Sequence, residues 1–564
     1  LLFLFFIYFF AYNFILKEII RKMEDKYDVI IIGGGATGAG TLRDCSLRGL
    51  KAVLVERSDI ATGATGRNHG LLHSGARYAV TDQESARECI GENQILRRIA
   101  SHCVDETDGF FISLPGDDLS FQSQFVSSCL QAGINAQVYD PKEALALEPS
   151  MNPEVIGAVR VPDGSIDPFR LTASNIQDAK SHGATVLTYH QVMGLIIEQD
   201  RVTGVHVLNC KTGEKFDLHA PIVVNAGGIW GAHIAENAGI KISMFPAKGA
   251  LLIYGHRVNK IVLNRCRKPS DADILVPGDT ICLIGTTSTK VPFEEVDDMH
   301  VLPSEVEILR KGAADLAPIL EQTRILRCYA GVRPLVASDN DPSGRSVSRG
   351  IVLFDHEKRD GMKGFMTITG GKLMTYRLMA EKATDLVCEK LGVDKKCETA
   401  RIKLPGSRED KETIMKKVYS MPVSIQQSMI YRHGDMAEKM SNNDSAINNS
   451  LVCECEEVSS GEVNYAIDHM DVNNLIDLRR RTRVGMGTCQ GELCACRASG
   501  ILGKKKFKCS KRAKEDLALF LNERWKGIYP IAWGDSLRES QYSAWVYESV
   551  CGLEYNNKEK KNEI

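Results

Sequence analysis

Neither a regular framework of paired cysteines nor a strong charge of either sign is present in this chain of 564 residues. The formal net charge is −2, from 70 Lys and Arg against 72 Asp and Glu, so no general field attracts nucleic acid and none is expected as a partner. The 17 cysteines are odd in number. Most, such as Cys45, Cys129, Cys282 and Cys388, stand alone in apolar or helical stretches and read as small buried hydrophobes of a reducing compartment, which argues against a disulfide-stapled secreted protein. Internal repeats and low-complexity tracts are also missing. The N-terminal run LLFLFFIYFFAYNFIL has no positive charge before it and no small-residue cleavage site after it, so it is not a signal peptide. As a helix it reaches about 24 Å, short of the ~30 Å hydrocarbon core. We read residues 1–22 as non-native upstream sequence with Met23 as the natural start, a membrane-anchoring helix being the alternative.

The length exceeds what one hydrophobic core sustains, so two or three domains are expected. From Tyr27 the order is strand (YDVIII), glycine turn (GGGATGAG), a helix stopping at Gly49, and a second strand (LKAVLVE). Gly33, Gly35 and Gly38 form GxGxxG between strand and helix: the first two permit the turn and close approach to a pyrophosphate, and the third lets helix and strand pack. Glu56 ends the second strand where a carboxylate would accept ribose hydroxyls. Two further strand-end turns, VVNAGG with Gly227 and ITGGK with Gly370 and Gly371, favour a large, tightly held flavin over a dissociable nicotinamide.

Between about 240 and 355 the chain shifts to short strands and loops, the pattern of an antiparallel sheet domain. Arg333, Arg349 and Lys372 stand at glycine-rich strand ends there and after it, placed to hold a phosphate or carboxylate. An alcohol losing hydride must also shed a proton near neutral pH. His73 is the candidate base, with flavin contact or loop packing as its other reading.

Cys453 and Cys455 (VCEC) with Cys489 and Cys494 (TCQGELC) supply four thiolates for a [2Fe-2S] cluster or a structural zinc. Cys496 lies nearby.

The stretches YDVIIIGGGATGAGTLRDCSLRGLKAVLVERSDIATGATGRNHGLLHSGARYAV, NRCRKPSDADILVPGDT, GVRPLVASD, GFMTITGGKLMTYRLMAE and RRRTRVGMGTCQGELCACR closely resemble the large catalytic subunits of anaerobic sn-glycerol-3-phosphate dehydrogenases, over roughly residues 23–555. The resemblance implies an α/β fold: a Rossmann-type FAD-binding domain (23–240 and 356–395) with an antiparallel-sheet substrate domain (241–355) of D-amino-acid-oxidase-like architecture. A connector (396–450), a small helical ferredoxin-like module (451–502) and a helical tail (503–564) follow. It implies FAD on Gly33, Gly35, Gly38 and Glu56, oxidation of sn-glycerol 3-phosphate to dihydroxyacetone phosphate, and substrate binding by Arg333, Arg349 and Lys372. Cys453, Cys455, Cys489 and Cys494 would ligate [2Fe-2S]. The implied partners, an iron-sulfur membrane-anchor subunit together with a second flavin-type subunit, place the protein peripherally on the cytoplasmic side of the bacterial inner membrane and pass electrons to quinone. An amino-acid or amine dehydrogenase on the same fold, or a zinc or redox-sensing module for partner binding, are the competing readings. The chain departs from the pattern twice. Leu251 stands where aerobic relatives carry a histidine, and Cys489 and Cys494 are separated by four residues where ferredoxin-type modules often have two, leaving Cys496 as a possible substitute ligand.

Overall fold

The structure, a computed structural model, describes residues 27–336, 350–418, 421–441 and 447–553. The apolar run of residues 1–22 and Arg349 lie outside the described residues.

A six-stranded sheet organises the first domain, in the order Ile351–Asp355, Phe365–Gly370, Ile222–Asn225, Val29–Ile32, Ala52–Glu56, Thr185–Thr188. All neighbours are parallel except the first pair. Val29–Ile32 is the central strand and is covered on both faces, which is why four consecutive β-branched residues stand there: Val29, Ile30 and Ile31 have no exposed surface. Each buried isoleucine contributes about 1.5–3 kcal/mol relative to an exposed one. One face carries the helices Ala36–Leu47, Pro168–Ser181 and Tyr376–Leu391, through Leu42, Ile176, Ala383 and Val387. The other face carries a three-stranded antiparallel sheet, His190–Glu198, Arg201–Asn209 and Lys215–His219, packed on Ile30, Val53 and Val223.

The second sheet has nine strands, mostly antiparallel, led by the long pair Met244–Tyr254 and Ile325–Val336. Two features differ from the sequence expectation. Gly109–Ser113, Gln137–Tyr139 and Gly157–Val161 join this sheet although they precede residue 241, and Gly109–Ser113 runs parallel to Val262–Arg265. Ile351–Asp355, expected in the substrate domain, instead edges the six-stranded sheet. The chain crosses between the sheets more often than a break in composition reveals.

The connector is folded into the core. Ile414, Ile425, Met429 and Met440, on or beside its short helices, pack in one continuous apolar cluster with the first domain's helices and with Val463, Leu478 and Ala498 of the cysteine module. Buried charges join the same parts: Asp59 pairs with Arg480 at 3.0 Å and with Arg481 at 2.5 Å, and these guanidiniums hold its carboxyl below its ordinary value against the opposing effect of burial. Removing one partner of such a buried pair costs about 3–5 kcal/mol. The tail forms the helices Ser510–Ile528 and Gly534–Cys551. The first lies against Ile325–Val336, where the Cys328 thiol donates to the Gly527 carbonyl at 3.2 Å.

Candidate functional site

The carboxyl ends of four parallel strands, at Ile32, Glu56, Asn225 and Gly370, open on a cavity of about 1300 Å³ whose far wall is the nine-stranded sheet. Ligands of open parallel sheets bind at such ends. Gly33 has φ +108° and faces the Ala226 carbonyl, where a Cβ would sit 2.6 Å from its oxygen. At Gly38 a Cβ would lie 1.9 Å from the Gly33 carbonyl oxygen, so only glycine lets the helix approach the strand. Gly35 precedes the helix Ala36–Leu47, and the Ala36 amide donates to Thr65 Oγ1 at 3.0 Å. Glu56 accepts from the Gly34 amide at 2.7 Å and the Ser58 amide at 2.8 Å. Burial raises its pKa and those two amides oppose the rise. A carboxylate has about four lone-pair positions, so two remain for a ribose.

The other two glycine turns also face the cavity. The Gly227 amide donates to Asn225 Oδ1 at 3.1 Å, and Gly370 and Gly371 have φ +76° and +65°. A Cβ on Gly371 would be 2.4 Å from Met379 Sδ. Lys372 follows directly, with its ammonium 4.5 Å from the centre of the Tyr78 ring. His73 is 7% exposed and its ring centre lies 5.6 Å from that of Tyr78 and 5.9 Å from that of His69. Arg333 reaches in from Ile325–Val336 and donates to Thr286 Oγ1 and to the Thr287 carbonyl at 3.1 Å. A Cβ on Gly249 would stand 2.8 Å from Arg333 Nη2, so the guanidinium lies against bare backbone.

Gly33, Gly35, Glu56, His73, Gly227, Arg333, Gly370, Gly371 and Lys372 thus line one cavity, while Gly38 acts behind the turn. Arg349 is outside the described residues. Leu251 has no exposed surface and pairs with Gly285 in the sheet, so its place offers no proton acceptor. Sequence reasoning passed over Gly249, Thr286 and Tyr78. Thr286 and its neighbours form a small polar run, IGTTS, at a strand end, and that was the available signal.

In the cysteine module Cys494 interacts with Cys453 and with Cys489, and Cys489 in turn with Cys455. Backbone amides support three of these sulfurs: Gly485 and Glu456 at Cys453, Leu493 and Gly491 at Cys489, and Cys489 at Cys455. The interaction with Cys494, together with those amides, takes Cys489 down to about 5 and lowers Cys453, whereas burial raises Cys455. Its closeness to Cys453 and Cys489, and then burial, raise Cys494. Among the described residues no three His, Cys, Asp or Glu side chains are grouped to hold a single metal ion. Four thiols in a row, two of them favoured as thiolates, fit the donor set of a [2Fe-2S] cluster. Cys496 turns elsewhere: it is exposed and its sulfur lies 3.0 Å from that of Cys551 in the last helix.

Residues 28–377 match the FAD dependent oxidoreductase family and residues 451–504 the BFD-like [2Fe-2S] binding domain. A subunit of the anaerobic glycerol-3-phosphate dehydrogenase of Escherichia coli (strain K12) is 64% identical over 532 residues, 94% of this chain and 98% of that protein. The chain belongs to this family. The corresponding protein of Haemophilus influenzae is 61% identical, covering 93% of both chains. A glycerol-3-phosphate dehydrogenase from Bacillus halodurans, solved with FAD, shares the fold at a TM-score of 0.65 and 20% identity, over 91% of this chain and 97% of that one. FAD and a [2Fe-2S] cluster are therefore the cofactors of this family member.

Proposed function

We propose that the chain oxidises the C2 alcohol of sn-glycerol 3-phosphate to the ketone of dihydroxyacetone phosphate. The reading is supported by one observation above others: two cations and a histidine, Arg333, Lys372 and His73, line the same cavity as the glycine turn and Glu56. Gly33 and Gly35 let backbone approach a pyrophosphate, the helix beginning at Ala36 adds its positive end, and Glu56 takes the ribose hydroxyls. Gly227, Gly370 and Gly371 leave room for a flat ring system beside the strand ends. FAD, when bound, supplies the acceptor for the hydride leaving C2. Arg333 holds the substrate phosphate through its fork and Lys372 adds a point charge, with Arg349 as a third cation. His73 takes the hydroxyl proton as C2 becomes a carbonyl. Cys453, Cys455, Cys489 and Cys494 hold the [2Fe-2S] cluster, which offers a one-electron outlet.

Electrons then pass through a complex with a second flavin-type subunit and a membrane-attached iron-sulfur subunit to quinone in anaerobic respiration, on the cytoplasmic side of the inner membrane. Among the described residues no helix is long and apolar enough to cross a membrane, and attachment through the partner protein is part of the proposal. The test is dye reduction by the purified, cofactor-loaded protein. Glycerol 3-phosphate supports it and unphosphorylated glycerol does not; equal rates with both, or a faster rate with an amino acid, would remove phosphate recognition from the account.

A further inference from the structure

A second cavity, of about 260 Å³, lies on the other side of the loop that carries His69. It is walled by that loop, the strand Ile325–Val336, the module helix Leu475–Thr482 and the tail helix Ser510–Ile528, and Thr62, Arg67, Asn68 and His69 line both cavities. Three of its cations have partners: Arg480 pairs with Asp59 at 3.0 Å, Arg483 with Asp279 at 2.7 Å and Glu456 at 2.8 Å, and Lys526 with Asp298.

Arg67, Arg327 and Arg479 differ. Among the described residues no ion pair or side-chain hydrogen bond satisfies them, and Arg327 Nε and Nη1 are buried without an acceptor. Burial lowers the pKa of all three, and at Arg479 repulsion from Arg327, Arg480 and Arg483 adds to it. Glu523 favours the charged form of all three, and Asp297 also that of Arg67. The three side chains are half-buried, the buried nitrogens of Arg327 are costly to leave unpaired, and a fork of donors matches a tetrahedral oxyanion. The three guanidiniums outnumber the carboxylates that favour them, which leaves positive charge for an anion such as a phosphate group, about −1.5 to −2 near neutral pH. At ~30 Å³ per water the space is that of roughly eight or nine waters: enough for phosphate or a small phosphate monoester, too little for a dinucleotide.

We propose that this cavity is a second anion site, in which Arg67, Arg327 and Arg479 bind a phosphate-class dianion. Arg67 belongs to the flavin-side loop, Arg327 to the substrate sheet and Arg479 to the cysteine module, so the anion ties the three together. The Tyr329 hydroxyl donates to the Asn68 carbonyl at 2.8 Å and couples the same strand to the same loop. The anion's source is inorganic phosphate or a phosphate monoester.

Isothermal titration at constant ionic strength tests this on the full, FAD- and cluster-loaded chain carrying Arg333→Leu, which weakens phosphate binding in the first cavity. The probes are inorganic phosphate and glycerol 2-phosphate. One equivalent of the better probe binds saturably, and which binds tighter distinguishes the sources. Adding Arg479→Gln weakens binding at least tenfold with flavin and cluster absorption unchanged. Arg479→Lys, which keeps the charge and loses the fork, weakens it severalfold and decides the matter if the Gln variant fails to load its cofactors. Absence of saturable heat with either probe, or equal affinity with and without the Arg479 substitutions, overturns the proposal.

Discussion

Arg333 illustrates how one side chain acquires a role from its surroundings. Its guanidinium is held over the bare backbone of Gly249 by Thr286 and the Thr287 carbonyl, and so presents a fixed fork to the cavity. Replacing Arg333 with Leu removes a charge-assisted contact worth about 1.5–3 kcal/mol, so kcat/KM for glycerol 3-phosphate falls about 10- to 150-fold while FAD content stays at the wild-type level. Steady-state kinetics with flavin quantification checks both halves. In the cysteine module, the row formed by Cys453, Cys494, Cys489 and Cys455 leaves Cys496 beside Cys551. Cys496→Ser therefore retains iron and sulfide, and Cys494→Ser loses them, by metal and sulfide analysis after anaerobic purification. The reverse result would restore Cys496 as a ligand. These residues were legible in the sequence to different depths. Residue type and strand-end position pointed to Arg333 and Lys372, but the direction of Cys496 depends on a helix more than fifty residues later, which spacing alone does not reveal.

Elements carry a second layer of constraint. The helix Ala36–Leu47 meets the strand Val29–Ile32 across Gly38, where an added Cβ would come within 1.9 Å of the Gly33 carbonyl oxygen. Gly49, at φ +83°, ends the same helix with nothing within 4 Å of an added Cβ. Gly38→Ala thus overpacks the contact by about 1–3 kcal/mol or more and loses FAD, whereas Gly49→Ala costs about 1–2 kcal/mol of backbone strain and keeps it. Flavin per chain and thermal unfolding separate the two. The βαβ unit was plain in the sequence because its turn, helix stop and acid are all local. Docking of the tail was not: Phe520 covers Gly485 and Gly491 of the cluster loop, and the Tyr547 hydroxyl donates to the Gly491 and Glu492 carbonyls. On the same tail helix as Phe520, Asp516 accepts from the Leu475 amide at 3.0 Å, and burial pushes its pKa up to about 7. A carboxyl raised above its unfolded value of about 3.9 contributes stability below that value and loses it as pH rises through the folded one. Asp516→Asn therefore flattens the fall of Tm between about pH 4 and 7; an unchanged slope would remove Asp516 as its source.

At the scale of the whole molecule, two sheets enclose the large cavity and the cysteine module shares one apolar cluster with the first domain's helices. The sequence disclosed the kinds of domain and their order. It hid the crossings, because strands such as Gly109–Ser113 and Ile351–Asp355 are short and apolar wherever they pair, and their sheet is decided by partners far along the chain. The shared core makes flavin and cluster parts of one folded unit, and a substrate that reduces one should do so without any partner present. The most direct test is the visible spectrum of the purified, FAD-loaded protein under anaerobic conditions. The account predicts that glycerol 3-phosphate bleaches the flavin bands; bands that persist with it, and bleach instead with an amino acid or amine, would contradict it.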